Sequence, residues 1–125
     1  MDPLLELFSF QGRVNRSWYF WHTLLDGVAI TAMIIVLIVA MTVLGDPGLL
    51  VLPIAGVMVA GVAAEVAVTV KRLHDVERPS WHWWLLLVPV YNIYLALTLV
   101  FQRGTLGPNA YGPDPLPPPT YHQLP

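Results

Sequence analysis

Long stretches without a charged residue are the feature that most constrains how this chain can fold. Residues 27–44 and residues 83–101 contain no Asp, Glu, Lys or Arg, which makes uncharged runs of 18 and 19 residues. A helix needs roughly 20 mostly apolar residues to cross a hydrocarbon layer about 30 Å thick. The two runs therefore predict membrane-spanning helices.

The overall composition also indicates a protein that meets lipid. Hydrophobic residues make up 56% of the 125 residues and charged residues only 11%, whereas soluble proteins are about 25% charged. This length has room for one domain. The net charge of −2 gives no indication of a nucleic-acid partner, and without cysteine the chain forms no disulfide or thiolate metal site.

Turn-forming residues divide the apolar sequence into three predicted spans, at about 18–44, 49–70 and 81–101. The sequence GDPG at 45–48 is a dense turn signal. So short a connection joins antiparallel helices, and the first two spans are therefore expected to form a tight hairpin.

The two ends of the chain differ from the spans. Residues 1–10 are apolar but too short to span, which favours an interfacial helix lying on the membrane. Residues 116–125 are rich in proline and predict an extended tail. The expected fold is an all-α integral membrane protein with three transmembrane helices, a short N-terminal interfacial helix, a membrane domain at 1–115 and an extended Gly/Pro-rich C-terminal tail.

Two further features concern helix packing and the third span. Gly56, Ala60 and Ala64 are spaced four apart in the second span, and small residues on one face let helices approach closely in lipid. We expect this face to pack against another span. Pro89 lies within the third span and predicts a kink there.

The distribution of basic residues predicts the orientation in the membrane. Three spans would place Arg103 on one side and the other five basic residues on the opposite side: Arg13, Arg16, Lys71, Arg72 and Arg78. Loops rich in Lys and Arg stay in the cytoplasm. The expectation is a cytoplasmic N-terminus and a periplasmic C-terminus.

Three segments together resemble one known family. They are FSFQGRVNRSWYFW at 8–21, RLHDVERPSWHWW at 72–84 and GTLGPNAYGPDP at 104–115. In this order, with apolar spans between them, they resemble the YhaH-like family of small bacterial inner-membrane proteins, a domain-of-unknown-function family. The resemblance implies that fold and a bacterial inner membrane, and it brings no established activity.

Glu65 is an ionisable residue near the cytoplasmic end of the second span. One interpretation is a proton or cation relay, because carboxylates within membranes are costly and often functional. The other is structural. Arg72 lies seven residues further along the same helix face and could form an ion pair with Glu65, which is the interpretation that the off-centre position favours.

His74 and Asp75 invite a metal or catalytic interpretation, with His22 and His82 predicted at the same membrane interface. Their spacing matches no compact ligand motif, so a metal site is not expected. The structural alternative pairs Asp75 with Arg72 or Arg78 and places His74 at the end of the second span.

The other polar candidates also have two interpretations each. The basic residues at 13, 16, 71, 72 and 78 are expected to determine topology and contact anionic lipid rather than to form a phosphate pocket, since no glycine-rich loop accompanies them. Tyr91 and Asn92 lie within the third span. They predict hydrogen bonds between helices, with a ligand contact as the alternative.

The function expected from these observations is not enzymatic, because no nucleophile, base and orienting group occur together. No cofactor is expected. We expect a small accessory or structural subunit that packs against a larger respiratory or photosynthetic membrane complex, with Tyr111 and Tyr121 of the C-terminal segment as anchors. The alternatives are a homo-oligomeric channel or small-solute transporter, and a metal-binding or sensory membrane protein.

Overall fold

The computed structural model describes residues 3–45 and 48–116, and all regular elements within them are helical. In chain order they are α1 (Pro3–Leu7), α2 (Arg16–Leu44), α3 (Gly48–Asp75), a 3-10 helix (Ser80–Leu87) and α4 (Tyr91–Phe101). Within these residues the extended backbone is limited to one isolated bridge between Asn109 and Gly112. The all-helical class is confirmed.

Helices α2 and α3 are long and apolar enough to cross a membrane. The Asn15 side chain accepts a hydrogen bond from the Trp18 N–H and caps the start of α2, while Gly45 ends it with a left-handed φ of 71°. With 29 and 28 residues, the helices are about 43 and 42 Å long at 1.5 Å per residue. Both exceed the thickness of a bilayer core.

The two long helices form the expected antiparallel hairpin. The Thr23 hydroxyl donates to the Glu65 carboxylate over 2.7 Å, and the Asp26 carboxylate lies beside Gly61. Partner numbers on α3 fall as those on α2 rise, so the helices run in opposite directions. Residues 16 and 75 therefore lie at one end of the hairpin, and residues 45 and 48 at the other.

A third full crossing is not confirmed. The predicted span at 81–101 is divided between the 3-10 helix and α4, which has only 11 residues. Eleven residues make a helix about 17 Å long, little more than half of the 30 Å that a crossing requires.

The division occurs at Val90, where the chain reverses. Val90 has φ 69° and ψ −49°, and the Tyr91 N–H donates to the Pro89 carbonyl over 2.8 Å. This is a classic γ-turn, a rare and strained conformation for a β-branched residue. Pro89 therefore takes part in a break in the helix instead of a kink.

The buried core lies at one end of the hairpin. Leu95 and Leu99 of α4 are fully buried against Val68 and Leu73 of α3 and Tyr19 of α2. By contrast, only 6% of the residues in the most apolar 18-residue stretch of each long helix are buried. We call the part of the molecule around the buried residues Tyr19, Val68, Leu73, Leu95 and Leu99 the end cap. The apolar hairpin of α2 and α3 projects from it.

The small residues of α3 are buried near the end cap and exposed further from it. Ala64 and Ala67 are buried, whereas Gly56 and Ala60 are exposed, and a side chain at Gly56 would meet no atom within 4 Å. The predicted packing face is therefore occupied only near the end cap.

Candidate functional site

Two arginines from distant parts of the chain converge on one carboxylate. Arg13 lies in the loop before α2, and Arg72 and Asp75 lie in the last turn of α3. Arg13 Nε and Nη2 donate to Asp75 Oδ1 over 3.1 and 2.9 Å, and Arg72 Nη1 donates to Asp75 Oδ2. The arginine side chains are 0% exposed and that of Asp75 is 3% exposed. These three residues are called the Arg13–Asp75–Arg72 cluster.

The remaining guanidinium donors bind backbone carbonyl groups. Arg13 donates to the carbonyls of Thr105 and Gly107, each over 2.6 Å. Arg72 donates to the carbonyl of Leu99 over 2.7 Å and to that of Gln102. The cluster therefore ties the N-terminal loop, the end of α3, the end of α4 and the segment after α4 together.

The electrostatics of the cluster favour a structural role. Two guanidiniums and one carboxylate carry a net charge of +1, and carbonyl oxygens compensate the excess positive charge. Both carboxylate oxygens of Asp75 accept hydrogen bonds from arginine. Both oxygens of Asp75 are therefore engaged by arginine within the chain.

Gly104 is required by the close approach to Asp75. A Cβ atom at Gly104 would lie 2.0 Å from Asp75 Oδ2. The next residue, Thr105, donates its backbone N–H to the Asp75 carbonyl over 2.9 Å. Sequence reasoning did not single out either residue as part of a site, although the GT at 104–105 opens the third family-like motif.

Asn109 and His74 extend this interface. The Asn109 side-chain amide donates to the His74 carbonyl over 2.9 Å and to the Thr105 hydroxyl over 2.8 Å. Thr105 and Asn109 thereby donate hydrogen bonds to the last two carbonyl groups of α3, those of Asp75 and His74. Asn109 was also missed as a site residue, and its only signal was its place in the same motif.

His74 has partners on both ring nitrogens. Nδ1 lies 3.2 Å from the Gly12 carbonyl and Nε2 lies 2.8 Å from Ser80 Oγ. The imidazole stacks on the Tyr111 ring at 4.0 Å with an interplanar angle of 2°. Tyr111, expected to be an anchor for a partner, thus packs within its own chain, while Tyr121 lies outside the described residues.

Residues 102–116 form turns packed against the end of α3. The extended tail predicted at 116–125 lies, apart from Leu116, outside the described residues. Asp114 stabilises these turns. Its carboxylate accepts hydrogen bonds from the backbone N–H groups of Leu116 and Gly107, and they lower its pKa below the usual 3.8.

The predicted ion pair between Glu65 and Arg72 is replaced by other contacts. Glu65 accepts the Thr23 hydroxyl hydrogen bond, and its second oxygen lies 3.4 Å from His22 Nδ1. Arg72 instead turns toward Asp75 and the end of α4. Asp75 lies one turn further along α3, and its carboxylate is nearer the buried end cap.

The other candidates lie around the cluster. Arg78 approaches the hydroxyls of Tyr91 and Tyr94 at 3.4 Å each, so Tyr91 faces the loop after α3. Asn92 lies in the first turn of α4, where its backbone N–H donates to the Val88 carbonyl over 2.9 Å. Arg16 is exposed and approaches the Phe101 carbonyl at 3.4 Å.

Among residues 3–45 and 48–116, no three His, Asp or Glu side chains are placed to hold an ion together. His82 Nδ1 is buried without a hydrogen-bond partner in this part of the chain. Burial, followed by the charge of Arg78, lowers the pKa of His82.

Comparison with known proteins agrees with the three motifs. Residues 7–113 match the family described as "Protein of unknown function (DUF805)". The chain is 32% identical to "Inner membrane protein YhaH" of Escherichia coli K12 over 117 residues, which cover 92% of this chain and 93% of that protein. It is 33% identical to "Inner membrane protein YhaI" of the same strain over 115 residues, 92% of each chain. No solved structure matches the chain.

Proposed function

This chain belongs to the DUF805 family of membrane proteins, and we propose that it is a small, non-catalytic accessory subunit that packs against a larger complex in the bacterial inner membrane. The observation that carries the proposal is the exposed apolar surface of α2 and α3. In the most apolar 18-residue stretch of each helix, only 6% of the residues are buried. A hairpin with so much unpaired surface is suited to lateral contact with other membrane helices.

The exposed small residues of α3 support such a contact. Gly56 and Ala60 are one turn apart and open to the surroundings, so a neighbouring helix can approach the α3 backbone closely there. The end cap supports the non-catalytic part of the proposal, because hydrogen bonds within the chain already engage the charged groups of the Arg13–Asp75–Arg72 cluster.

Purification in a mild detergent tests this function. We expect the full chain to be recovered with a stoichiometric membrane complex and Gly56→Leu to weaken that association. Removal of residues 117–125 tests the tail as a further contact. A wild-type protein that is recovered only as itself, at full yield and from its native membrane, would contradict the subunit proposal.

The proposed orientation places both described ends on the cytoplasmic side. Gln102 contacts Arg72, and Gly104 contacts Asp75, so Arg103 lies at the same end of the hairpin as the other five basic residues. The connection at 45–48 carries no Lys or Arg. By the positive-inside rule, the end cap is cytoplasmic. This arrangement replaces the periplasmic C-terminus expected from three crossings.

Cysteine labelling tests the orientation, since the natural chain has no cysteine. A membrane-impermeant maleimide added outside spheroplasts should label Asp46→Cys in the hairpin connection. It should label Ala110→Cys in the end cap only after the membrane is opened. Labelling of Ala110→Cys from outside would restore the third crossing.

A homo-oligomeric channel is a second candidate because of the contact between His22 and Glu65. The two side chains are 19% and 27% exposed, and Thr23 and Asp26 add further polar groups on this stretch of α2. If they line a path between copies of the chain, Glu65→Gln should abolish cation or proton flux in proteoliposomes without lowering thermal stability. Unchanged flux with the variant, or none with the wild type, would remove this candidate.

A further inference from the structure

An apolar groove runs along one face of α2. It has a volume of about 700 Å³ and extends from Phe20 through Gly27 to Ile35, with Val100 of α4 at the end nearest the cap. Because Gly27 has no side chain, the groove is open at its middle, and a Cβ atom there would meet nothing within 4 Å.

The lining of the groove favours hydrocarbon. Its two hydroxyl groups already donate within the chain: Thr23 to Glu65 over 2.7 Å and Thr31 to the Gly27 carbonyl over 2.8 Å. The groove therefore has little polar capacity to offer. The 15 residue steps from Phe20 to Ile35 correspond to about 22 Å, enough for an acyl chain of one leaflet of about 15 Å.

Two exposed arginines lie where the groove meets the end cap. Arg16 is one turn before Phe20, and Arg103 follows the end of α4, whose Phe101 carbonyl Arg16 approaches. Neither arginine forms an ion pair with an acidic side chain in the described ranges. Both line a cavity of about 300 Å³ beside the cluster, which Asp75 and Asp114 also line. Each of these carboxylates already accepts two or more hydrogen bonds.

We propose that this groove binds one anionic phospholipid. An acyl chain lies along α2 between Phe20 and Ile35, and the phosphate lies at the guanidiniums of Arg16 and Arg103. The apolar groove selects hydrocarbon and the unpaired positive charges at its mouth select an anionic headgroup, so the two features together specify this ligand.

Native mass spectrometry of the full chain in mild detergent tests the proposal with phosphatidylglycerol and phosphatidylcholine as probes. We expect wild-type protein to retain phosphatidylglycerol preferentially. Each arginine near anionic lipid corresponds to about a fivefold change in affinity, so Arg16→Gln with Arg103→Gln should lower phosphatidylglycerol retention about 25-fold. Retention of phosphatidylcholine should change little.

Gly27→Leu should fill the groove and lower retention of phosphatidylglycerol at least fivefold. Leucine is the better helix former, so the helix should persist, which thermal unfolding can verify. Ala55→Leu on the exposed surface of α3 adds similar bulk outside the groove and should retain lipid like the wild type. Equal retention by the Gly27→Leu and Ala55→Leu variants, equal binding of both lipids, or a second protein in the groove would overturn the proposal.

Discussion

Replacing Asp75 by asparagine removes the negative charge that two buried guanidiniums share. The cluster would change from a net charge of +1 to +2 while the arginine side chains stay 0% exposed. Removal of one partner from a buried ion pair costs about 3–5 kcal/mol. Since small proteins are stable by only about 5–15 kcal/mol, Asp75→Asn should remove a large share of the stability of the fold.

Equilibrium unfolding in mild detergent measures this change, with Glu77→Gln as the matched control. Glu77 is an exposed carboxylate two residues from Asp75, and surface substitutions of this kind usually change stability by less than about 0.5 kcal/mol. A double-mutant cycle with Arg13→Gln then isolates the interaction between Arg13 and Asp75. Arg13→Gln should lower the free energy of unfolding by less when residue 75 is already asparagine. If Asp75→Asn is as stable as Glu77→Gln, the cluster does not hold the end cap together.

Four other predictions concern the turns of the end cap. Gly104→Ala should destabilise by about 1–3 kcal/mol because the new methyl group collides with Asp75. Gly107→Ala should lower the free energy of unfolding only by the strain of its φ of +74°, about 1–2 kcal/mol. The backbone amides around the cluster should keep their protection from hydrogen exchange. Val90→Gly should raise the unfolding temperature by relieving the γ-turn, whereas a continuous third helix would be weakened by glycine. Since the folded pKa of Asp114 is lowered, its stabilisation of the Gly107 turn should be present above pH 3.8 and lost as pH falls through the lowered pKa. NMR titration should show this change, and Asp114→Asn should abolish it.

The first two membrane helices were predictable because they depend on local properties. A helix can cross lipid when its apolar stretch is long enough, and the GDPG sequence marks the connection between the helices. The observed α2 begins two residues before the predicted span, and α3 continues five residues beyond its predicted end at 70. That extension carries Arg72 and Asp75 into the end cap.

The break in the predicted third span could not be seen from hydropathy, because hydropathy does not report where the backbone leaves the helical conformation. The sequence at 83–101 satisfies the length and charge criteria for a crossing. Those criteria count residues and do not detect a positive φ at Val90, which is unusual for a β-branched residue. Pro89 was the visible signal, and it marked a reversal of the chain.

The partners of the charged residues depended on tertiary contacts. Helix spacing favoured a pair between Arg72 and Glu65, which the structure does not contain. It could not indicate that Arg13, 62 residues before Asp75, would reach the Asp75 carboxylate. The pairing of Asp75 with Arg72 was among the expected alternatives, and it is present. The Arg13 guanidinium comes from a distant segment, so residue spacing along one helix gives no indication of its contact with Asp75.

The contacts of the cluster also explain how three short motifs far apart in the sequence depend on one another. Arg13 comes from the first motif, Arg72 and Asp75 from the second, and Gly104 and Thr105 from the third. Each motif alone contains donors or acceptors that are costly to bury without partners. When α2 and α3 bring the first two motifs to one end of the hairpin, the short α4 must return the chain to that same end for the third to bind. In the proposed orientation the three motifs therefore bind one another on one side of the membrane.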